Sequence, residues 1–261
     1  MSDRAITHPS RATRLFGVWY RHVRVYTRNL ISNGFPPFFE PLIFFAAMGM
    51  GLAVYVGEID GVPYLQYLAA GIIIPPAMFT ASFECTFGTF IRLEFDKIYE
   101  GMLSAPMSVN DLLIGELLFA ATKGLFFSTA VLIVITAFGY VESPLALLAP
   151  LAGLLTGLMF ASLSLFVTSF VKTINHFNFY FTGLLTPMFF FSGIFFPLSN
   201  LPQSMQLVSE FLPLTHVVRI ARGCVMGELR LYFLLDLLYA VGFTALFCVL
   251  AVYRLRKRLI D

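Results

Sequence analysis

Residues 112–138 read LLIGELLFAATKGLFFSTAVLIVITAF, an almost unbroken run of apolar side chains. A helix needs roughly 20 such residues to cross the hydrocarbon core of a bilayer, and this run exceeds that length. Its apolar residues do not alternate with polar ones, as the strands of a membrane β-barrel would require. The run therefore predicts a transmembrane helix.

The composition of the whole chain agrees with this. Of its 261 residues, 58% are hydrophobic and only 12% are charged, against roughly 25% charged in an average soluble domain. A soluble fold of this size would leave much of that apolar surface in water. The composition excludes a soluble enzyme, a nucleic-acid-binding protein and a disordered chain. It predicts a single all-α integral membrane domain over residues 1–261, with no nucleic acid as a partner.

Similar apolar runs recur along the chain, and together they predict six transmembrane helices. The runs are residues 38–56, 64–90, 112–138, 145–171, 174–195 and 231–253. The predicted domain is then a tail and interfacial helix (1–35), five spans (36–195), a connecting segment (196–230), the sixth span (231–253) and a short tail (254–261).

The basic residues indicate the orientation. They are concentrated in residues 1–35, in the loop that contains Arg92 and Lys97, at Lys172, and in the tail 254–261, whereas loops 57–63 and 139–144 have none. Cytoplasmic segments accumulate Lys and Arg. We therefore expect both termini to be cytoplasmic.

The segment before the first span predicts an amphipathic helix at residues 11–30. At 100° per residue, its basic residues fall on one side and most of its apolar residues on the other, with Val18 and Val25 off this pattern. Such a helix lies in the membrane interface rather than across it. Two hypotheses stay open: an anchor for anionic lipid, or a contact with a cytoplasmic partner.

The segment 196–230 is moderately apolar and is interrupted by Pro197, Pro202 and Pro213. Prolines end helices and suit the first turn of new ones. We expect two short helices here that dip back into the outer leaflet, against protein or a water-filled cavity.

Ionisable residues inside the predicted spans are the candidates for function. They are Glu84, Glu116, Lys123 and Asp236. Asp236 and Glu40 lie near span ends, where we expect an interfacial position. Charges at such depth are unfavourable and face protein or water. Glu116 and Lys123 lie about 10 Å apart along their helix, too far to pair directly. The first three charges either line a substrate path or form buried ion pairs, such as Glu84 with Lys123, that hold the bundle together.

Other kinds of chemistry have no support in the sequence. The cysteines (Cys85, Cys224, Cys248) and histidines lack metal-ligand spacing, and no Ser–His–Asp arrangement is evident. No lysine directly follows a glycine, so a P-loop is absent from this sequence. If ATP drives this protein, another chain must bind the nucleotide.

The loop after the second run predicts a short amphipathic helix that stops before Pro106, with apolar Ile98, Tyr99, Met102 and Leu103. By itself this is a solvated loop helix. It is also the natural docking point for a partner.

Several stretches resemble one family. They are Glu40-Pro41-Leu42-Ile43, residues 56–62 (VGEIDGV), Leu68-Ala69-Ala70-Gly71, Ser82-Phe83-Glu84, Tyr99-Glu100-Gly101-Met102-Leu103, Gly115-Glu116, Ala121-Thr122-Lys123, Thr186-Pro187-Met188, and, most specifically, residues 192–216. The chain resembles the permease subunits of type-2 ABC exporters, in particular the nodulation lipo-oligosaccharide exporter branch.

The resemblance implies roles for individual residues. The N-terminal helix, with Arg14, Trp19, Arg21 and Arg28, corresponds to a connecting helix that touches the ATPase. The ATPase-coupling helix corresponds to Asp96, Lys97, Tyr99, Glu100, Gly101, Met102 and Leu103. An outer gate of re-entrant helices corresponds to Phe196, Pro197, Pro213, Leu214, Thr215, His216, Arg219 and Arg222.

The resemblance also implies the assembly: two permeases, expected to be identical, and two ATPases that bind ATP and Mg, in a type V exporter-like arrangement in a bacterial inner membrane. The expected substrate is an amphiphilic or lipid-linked compound, and this chain itself binds no cofactor and is not an enzyme. Its path is assigned to Glu84, Glu116, Lys123, Phe181 and Phe189, although bundle packing explains the phenylalanines at least as well.

Two other functions are kept as alternatives. An ion-coupled transporter or channel would use Glu84, Glu116 and Lys123, but no inverted repeat is evident. A membrane-embedded transferase or hydrolase would need a nucleophile or metal cluster that the sequence does not reveal.

Overall fold

The computed structural model describes residues 9–59, 61–228 and 230–260. The predicted tail residues 1–8 and residue 261 lie outside these ranges. The described chain is nearly all helical, as expected.

The α-helices are α1 (Arg11–Arg28), α2 (Leu30–Gly34), α3 (Pro36–Val56), α4 (Tyr64–Gly71), α5 (Pro75–Phe83), α6 (Ile98–Leu103), α7 (Val109–Ala137), α8 (Ala149–Thr168), α9 (Phe177–Tyr180), α10 (Thr186–Phe191), α11 (Gln203–Glu210), α12 (Pro213–Met226) and α13 (Phe233–Ile260). Short 3₁₀ turns lie at Pro144–Leu148, Ile174–His176 and Leu198–Asn200, and π-helical turns at Glu84–Gly88, Ile91–Phe95 and Phe181–Leu185. Strands β1 (Glu58–Ile59) and β2 (Val62–Pro63) form an antiparallel hairpin in which Ile59 pairs with Val62.

Five helical segments of the described chain are long and apolar enough to cross a membrane. They are Leu30–Val56, Tyr64–Phe95, Val109–Ala137, Pro144–Thr168 and Phe233–Leu259. The predicted fifth run, residues 174–195, is not among them. It is helical from Ile174 to Phe191 but changes from 3₁₀ to α to π and back to α, and it ends in a bend before Pro197.

Helices α7 and α8 form the centre of the bundle because small residues let their backbones approach. A side chain at Gly124 would place its Cβ 2.6 Å from the carbonyl oxygen of Gly153 and 2.9 Å from Cα of Gly157. Small residues are the usual means of close helix packing in membranes. At the start of α7, Ser108 and Asp111 form a capping box that satisfies free backbone N–H groups.

Two helices run beyond their predicted ends. The second segment continues to Phe95 rather than residue 90, and α13 continues through most of the predicted tail 254–261. The extension of α13 is stabilised by Arg258. Its guanidinium donates to the carbonyl oxygens of Thr168 (2.6 Å) and Val171 (2.9 Å) and to the carboxylate of Glu94 (2.7 Å). These bonds hold the end of α13 against the ends of two other segments.

The bundle has two distinct ends, defined by contacts. At the first, which we call the α1 end, Arg14 pairs with Asp111 at 3.1 Å and Arg258 binds the end of α8. At the other, the hairpin end, the Tyr67 hydroxyl donates to the carbonyl of Gly193 at 3.0 Å, and Ile59 lines a cleft with Phe233. Segment Ile174–Phe191 starts near the first end and finishes near the second.

Candidate functional site

The charged residues inside the bundle meet in one group near the α1 end. We call Glu84, Arg92, Glu116, Lys123 and His22 the buried charge cluster. Glu116 is fully buried, and the side chains of Glu84, Arg92 and Lys123 are 13–14% exposed. They come from α1, α7 and the second segment, so the cluster joins three parts of the chain.

Arg92 bridges the two carboxylates of the buried charge cluster. Its guanidinium donates to Glu84 Oε1 at 2.7 Å and to Glu116 Oε2 at 2.6 Å. Lys123 Nζ donates to the other oxygen of Glu84 at 2.9 Å. His22 Nε2 lies 2.9 Å from Glu116 Oε1. Every carboxylate oxygen in the cluster thus has a basic group beside it.

The structure contains the ion pair between Glu84 and Lys123 that was one of the two alternatives for these charges. Glu116 finds its partners on other elements. The prediction that Arg92 lies in a loop was wrong. The second segment continues as a helix to Phe95 through two π-helical turns, and Arg92 lies in the second of them. A π turn contains an extra residue and rotates the side chains that follow it. Here Arg92 points back into the bundle.

Helix α1 is docked on the first half of α7. Val18 packs onto Gly115, where a Cβ would lie 2.5 Å from Val18 Cγ1. Trp19 Nε1 donates to Thr122 Oγ1 at 2.8 Å, and His22 reaches Glu116. The buried face of α1 is therefore centred on Val18 and His22. The residue spacing alone placed Val18 off the apolar face and made no prediction about the contacts of His22.

The predicted connecting residues of α1 divide into two groups. Arg14 and Trp19 are held on α7, whereas Arg21 is partly exposed and Arg28 exposed, and neither forms an ion pair with a described residue. Tyr26, near the end of α1, lies under Lys123, with Nζ 5.3 Å from the ring centre. Burial, with the nearby charge of Glu84, raises the pKa of Tyr26 to about 12.

The expected short helix after the second segment is present as α6. Lys97 starts it in the left-handed conformation (φ 54°), which is uncommon for lysine and makes a sharp turn. Tyr99 is 1% exposed, whereas Glu100 and Gly101 face outward with Asp96, and Met102 and Leu103 are partly buried. Burial and the charge of Glu116 raise the pKa of Tyr99 well above its ordinary value. One face of α6 is thus buried against α7, the helix that carries Glu116, and the other is exposed.

A cleft of about 550 Å³ opens beside the cluster, and we call it the aromatic cleft. Five phenylalanines line it, together with Lys123, Glu40 and polar groups of Tyr26, Asn33 and Thr80; the phenylalanines are Phe44, Phe79, Phe83, Phe127 and Phe189. The cleft is therefore apolar along most of its wall and polar next to the buried charge cluster.

The five residues assigned to the substrate path are not equivalent. Lys123 and Phe189 line the aromatic cleft, but Glu84 and Glu116 do not. Phe181 stacks on Phe83 with ring centres 4.4 Å apart and lies one layer behind the wall. Much of the phenylalanine pattern thus serves packing within the bundle.

At the hairpin end, α12 is fixed by polar contacts. His216 Nδ1 lies 2.6 Å from Asp236 Oδ1, and its Nε2 lies 2.9 Å from the carbonyl oxygen of Glu210. Arg219 donates to both Glu210 and Asp236. Asp236, which sequence position suggested to be interfacial, is 2% exposed and joins α13 to α12.

Several of the residues assigned to the outer gate line a second cleft, of about 510 Å³. Arg222 donates to the carbonyls of Gly193 (2.9 Å) and Ile194 (3.3 Å) and lies 3.8 Å from the ring centre of Tyr67. Pro197, Thr215 and Arg219 also line this cleft, Pro213 and Leu214 are buried at the start of α12, and Phe196 is partly buried. Arg222 therefore ties α12 to the bend that follows α10.

Sequence reasoning missed three features: the central position of Arg92, the contact of His22 with Glu116, and the place of Glu40 on the cleft wall. Each depends on which way a helix face points. Within the described ranges, no group of His, Cys, Asp and Glu side chains has the geometry of a metal site.

The fold and these sites define a multi-pass, nearly all-helical membrane protein with an internal charge cluster and two clefts. Residues 13–226 match the model of the family described as ABC-2 type transporter. The chain belongs to this family of membrane transport proteins.

Individual relatives agree with the family. The chain is 35% identical to nodulation protein J of Sinorhizobium fredii over 220 residues, which are 84% of each chain. It is 33% identical to nodulation protein J of Rhizobium leguminosarum bv. trifolii over 265 residues, spanning 100% of both chains. The inner membrane transport permease YadH of Escherichia coli is 22% identical over 204 residues, 78% of this chain and 79% of YadH. The chain is thus similar to nodulation protein J along its whole length and to a named transport permease over 78% of it.

Proposed function

We propose that this chain is the permease subunit of an ATP-driven exporter, powered by a separate ATPase subunit that binds ATP and Mg. The observation that carries the proposal is the two-sided position of α6. Its outward face, with Glu100 and Gly101, is exposed, and Tyr99 on its inward face is buried with Leu113 and Leu117 of α7. A push on α6 from outside the bundle would therefore be passed to α7, the helix that carries Glu116.

The proposed substrate is amphiphilic or lipid-linked: a lipo-oligosaccharide, polysaccharide, glycolipid or hydrophobic drug. The aromatic cleft supports this class, because most of its wall is apolar, with five phenylalanines, and Lys123, Glu40 and Tyr26 also line it. A site of this kind accommodates an apolar chain and a polar head group together.

The proposed assembly is a homodimer of permeases with two ATPases in the bacterial inner membrane. Each permease has six crossings, both termini in the cytoplasm, and re-entrant α11 and α12, in the type V arrangement. The two ends of the bundle support six crossings, because Arg258 holds the end of α13 beside Val171 while Gly193 lies beside Tyr67. The chain between Val171 and Gly193 includes about 27 Å of helix at 1.5 Å per residue, nearly the thickness of a bilayer core.

The ion-coupled alternative rests on the same charges, and their pairing speaks against it. Glu84 and Glu116 are each matched by basic groups within 3 Å, which leaves neither carboxylate free to exchange a coupling ion. Membrane carboxylates that carry protons or ions instead face a cavity or a pathway.

The test of the exporter proposal is to purify the chain with its associated proteins and to change α6. We expect a subunit with a P-loop to co-purify with the wild type, and Glu100→Arg to lower both its recovery and its substrate-stimulated ATP hydrolysis. Glu142→Arg is the matched control, because Glu142 is also exposed but lies in the loop before α8. Unchanged recovery and stimulation in Glu100→Arg would remove α6 from the docking role, and a permease that purifies with no ATPase would favour the ion-coupled carrier.

A further inference from the structure

Glu40 has an unusual environment in the aromatic cleft. Among the described residues that line the cleft it is the one acidic side chain, and no described residue forms a hydrogen bond or ion pair with it. It is exposed, and it lies within the apolar segment Leu30–Val56. A carboxylate inside a span is unfavourable unless it meets water, protein or an opposite charge.

The basic residue of the cleft is not available to neutralise Glu40. Lys123 donates to Glu84 at 2.9 Å, and Arg92 lies between Glu84 and Glu116. The two carboxylates and the two permanent cations of the buried charge cluster balance one another. Arg28, at the end of α1, is exposed and forms no ion pair with Glu40. The negative charge of Glu40 therefore remains uncompensated at the cleft wall.

The aromatic side chains of the cleft also favour a positively charged ligand, as the carboxylate of Glu40 does. Phe44, Phe79 and Phe189 line the cleft with Glu40, and the faces of aromatic rings attract cations. Its volume of about 550 Å³ lies within the range of sites that enclose drug-sized ligands. A lipophilic cation would place its apolar groups against the rings and its charge near the carboxylate.

We propose that the aromatic cleft binds amphiphiles that carry a positive charge, such as lipophilic amines and other organic cations, with Glu40 as the counter-charge. This inference deepens the proposed function by naming the charge of the ligand, and it rests on that function only in treating the cleft as a substrate site. Anionic amphiphiles of the same size and shape bind more weakly, because Lys123 is already neutralised by Glu84.

The experiment uses two ions of nearly identical size and shape but opposite charge, tetraphenylphosphonium and tetraphenylborate. Binding of each is measured to the full chain in phosphatidylcholine nanodiscs, with binding to empty nanodiscs subtracted. We expect protein-dependent binding of tetraphenylphosphonium to be the tighter of the two. Tighter binding of tetraphenylborate to the wild type overturns the proposal without the need for any variant.

The variant Glu40→Gln then identifies the counter-charge. We expect it to weaken tetraphenylphosphonium binding by about fivefold, the size of one carboxylate–cation interaction near water, and to leave tetraphenylborate binding unchanged or stronger. Glu58→Gln, the same change at an exposed residue of β1 away from the cleft, should alter neither. Equal binding of the cation to wild type and Glu40→Gln contradicts the assignment of Glu40.

The result of this binding experiment can be interpreted whether or not the exporter proposal is correct. The measurement uses the permease alone, with no nucleotide and no ATPase, so failure of α6 to recruit an ATPase leaves it interpretable. Conversely, a cleft that binds neither ion overturns the inference and leaves the test on Glu100 unaffected.

Discussion

Arg92 holds the buried charge cluster together because it contacts two carboxylates at once. Its planar guanidinium donates to Glu84 at 2.7 Å and to Glu116 at 2.6 Å. A lysine carries the same charge but lacks the fork of donors that reaches both acids. The balance of the cluster therefore depends on the kind of residue at position 92 as well as on its charge.

This arrangement predicts a large effect of Arg92→Met on stability. Removal of one member of a buried ion pair leaves its partner charged and unpaired, and typically costs about 3–5 kcal/mol. We expect a loss of this size in the free energy of unfolding, measured by denaturant titration in mixed micelles, and a smaller loss for Arg92→Lys.

Arg256→Met is the matched control, because Arg256 is exposed on α13 and forms no ion pair with a described residue. A similar loss in both methionine variants would indicate that the cluster contributes nothing particular to stability. A charge exchange between Glu84 and Lys123 is a poorer test, because the new lysine at position 84 would face Arg92.

At the scale of elements, α1 is positioned by a contact between one β-branched side chain and one glycine. Val18 is fully buried and occupies the space that a side chain at position 115 would need. Valine has few rotamers in a helix, so it has little freedom to move aside. The contact sets how close α1 lies to α7, and with it the distance from His22 to Glu116.

We therefore expect Gly115→Ala to displace α1 from α7. The new Cβ would lie 2.5 Å from Val18 Cγ1, and overpacking of this kind costs about 1–3 kcal/mol. Trypsin should cleave α1 after Arg21 and Arg24 faster than in the wild type. In Gly242→Ala, where nothing lies within 4 Å of the new Cβ, cleavage should be unchanged. Equal cleavage rates in the two variants would mean that α1 is not held by this contact.

At the scale of the whole molecule, the number of crossings decides which side each loop faces. Five segments meet the length and composition of a span, and an odd number of crossings would place the two basic ends of the chain on opposite sides. Basic segments at both ends favour an even number. The segment Ile174–Phe191 is the element on which this depends.

Labelling of single introduced cysteines tests the sixth crossing, because two of the native cysteines, Cys85 and Cys224, are buried. With Cys248 replaced by Ser, an impermeant thiol reagent should label Gln203→Cys from the same side as Glu58→Cys, and Lys172→Cys from the same side as Lys97→Cys. All four positions are exposed in the structure. Labelling of positions 172 and 203 from one side would reduce the chain to five crossings and place its termini on opposite sides.

Much of the architecture follows from composition and local pattern. Long apolar runs predict membrane helices whatever their neighbours, because burial of the backbone in lipid requires internal hydrogen bonds. The short helix α6 follows from its apolar spacing and from Pro106, and the family follows from stretches such as residues 192–216. These properties reside in contiguous residues, and the sequence displays them directly.

The functional geometry was decided by the tertiary structure instead. In a membrane helix both the lipid-facing and the protein-facing sides are apolar, so the pattern did not reveal that Glu40 faces a cleft. In α1 the apolar side indicated by the residue spacing left out Val18, and only packing on Gly115 shows that Val18 and His22 face α7. The π-helical turns that bring Arg92 to Glu84 and Glu116 have no clear signature in the residues that form them. Pairing of charges far apart in the chain depends on helix rotation and packing, and only the folded bundle sets these.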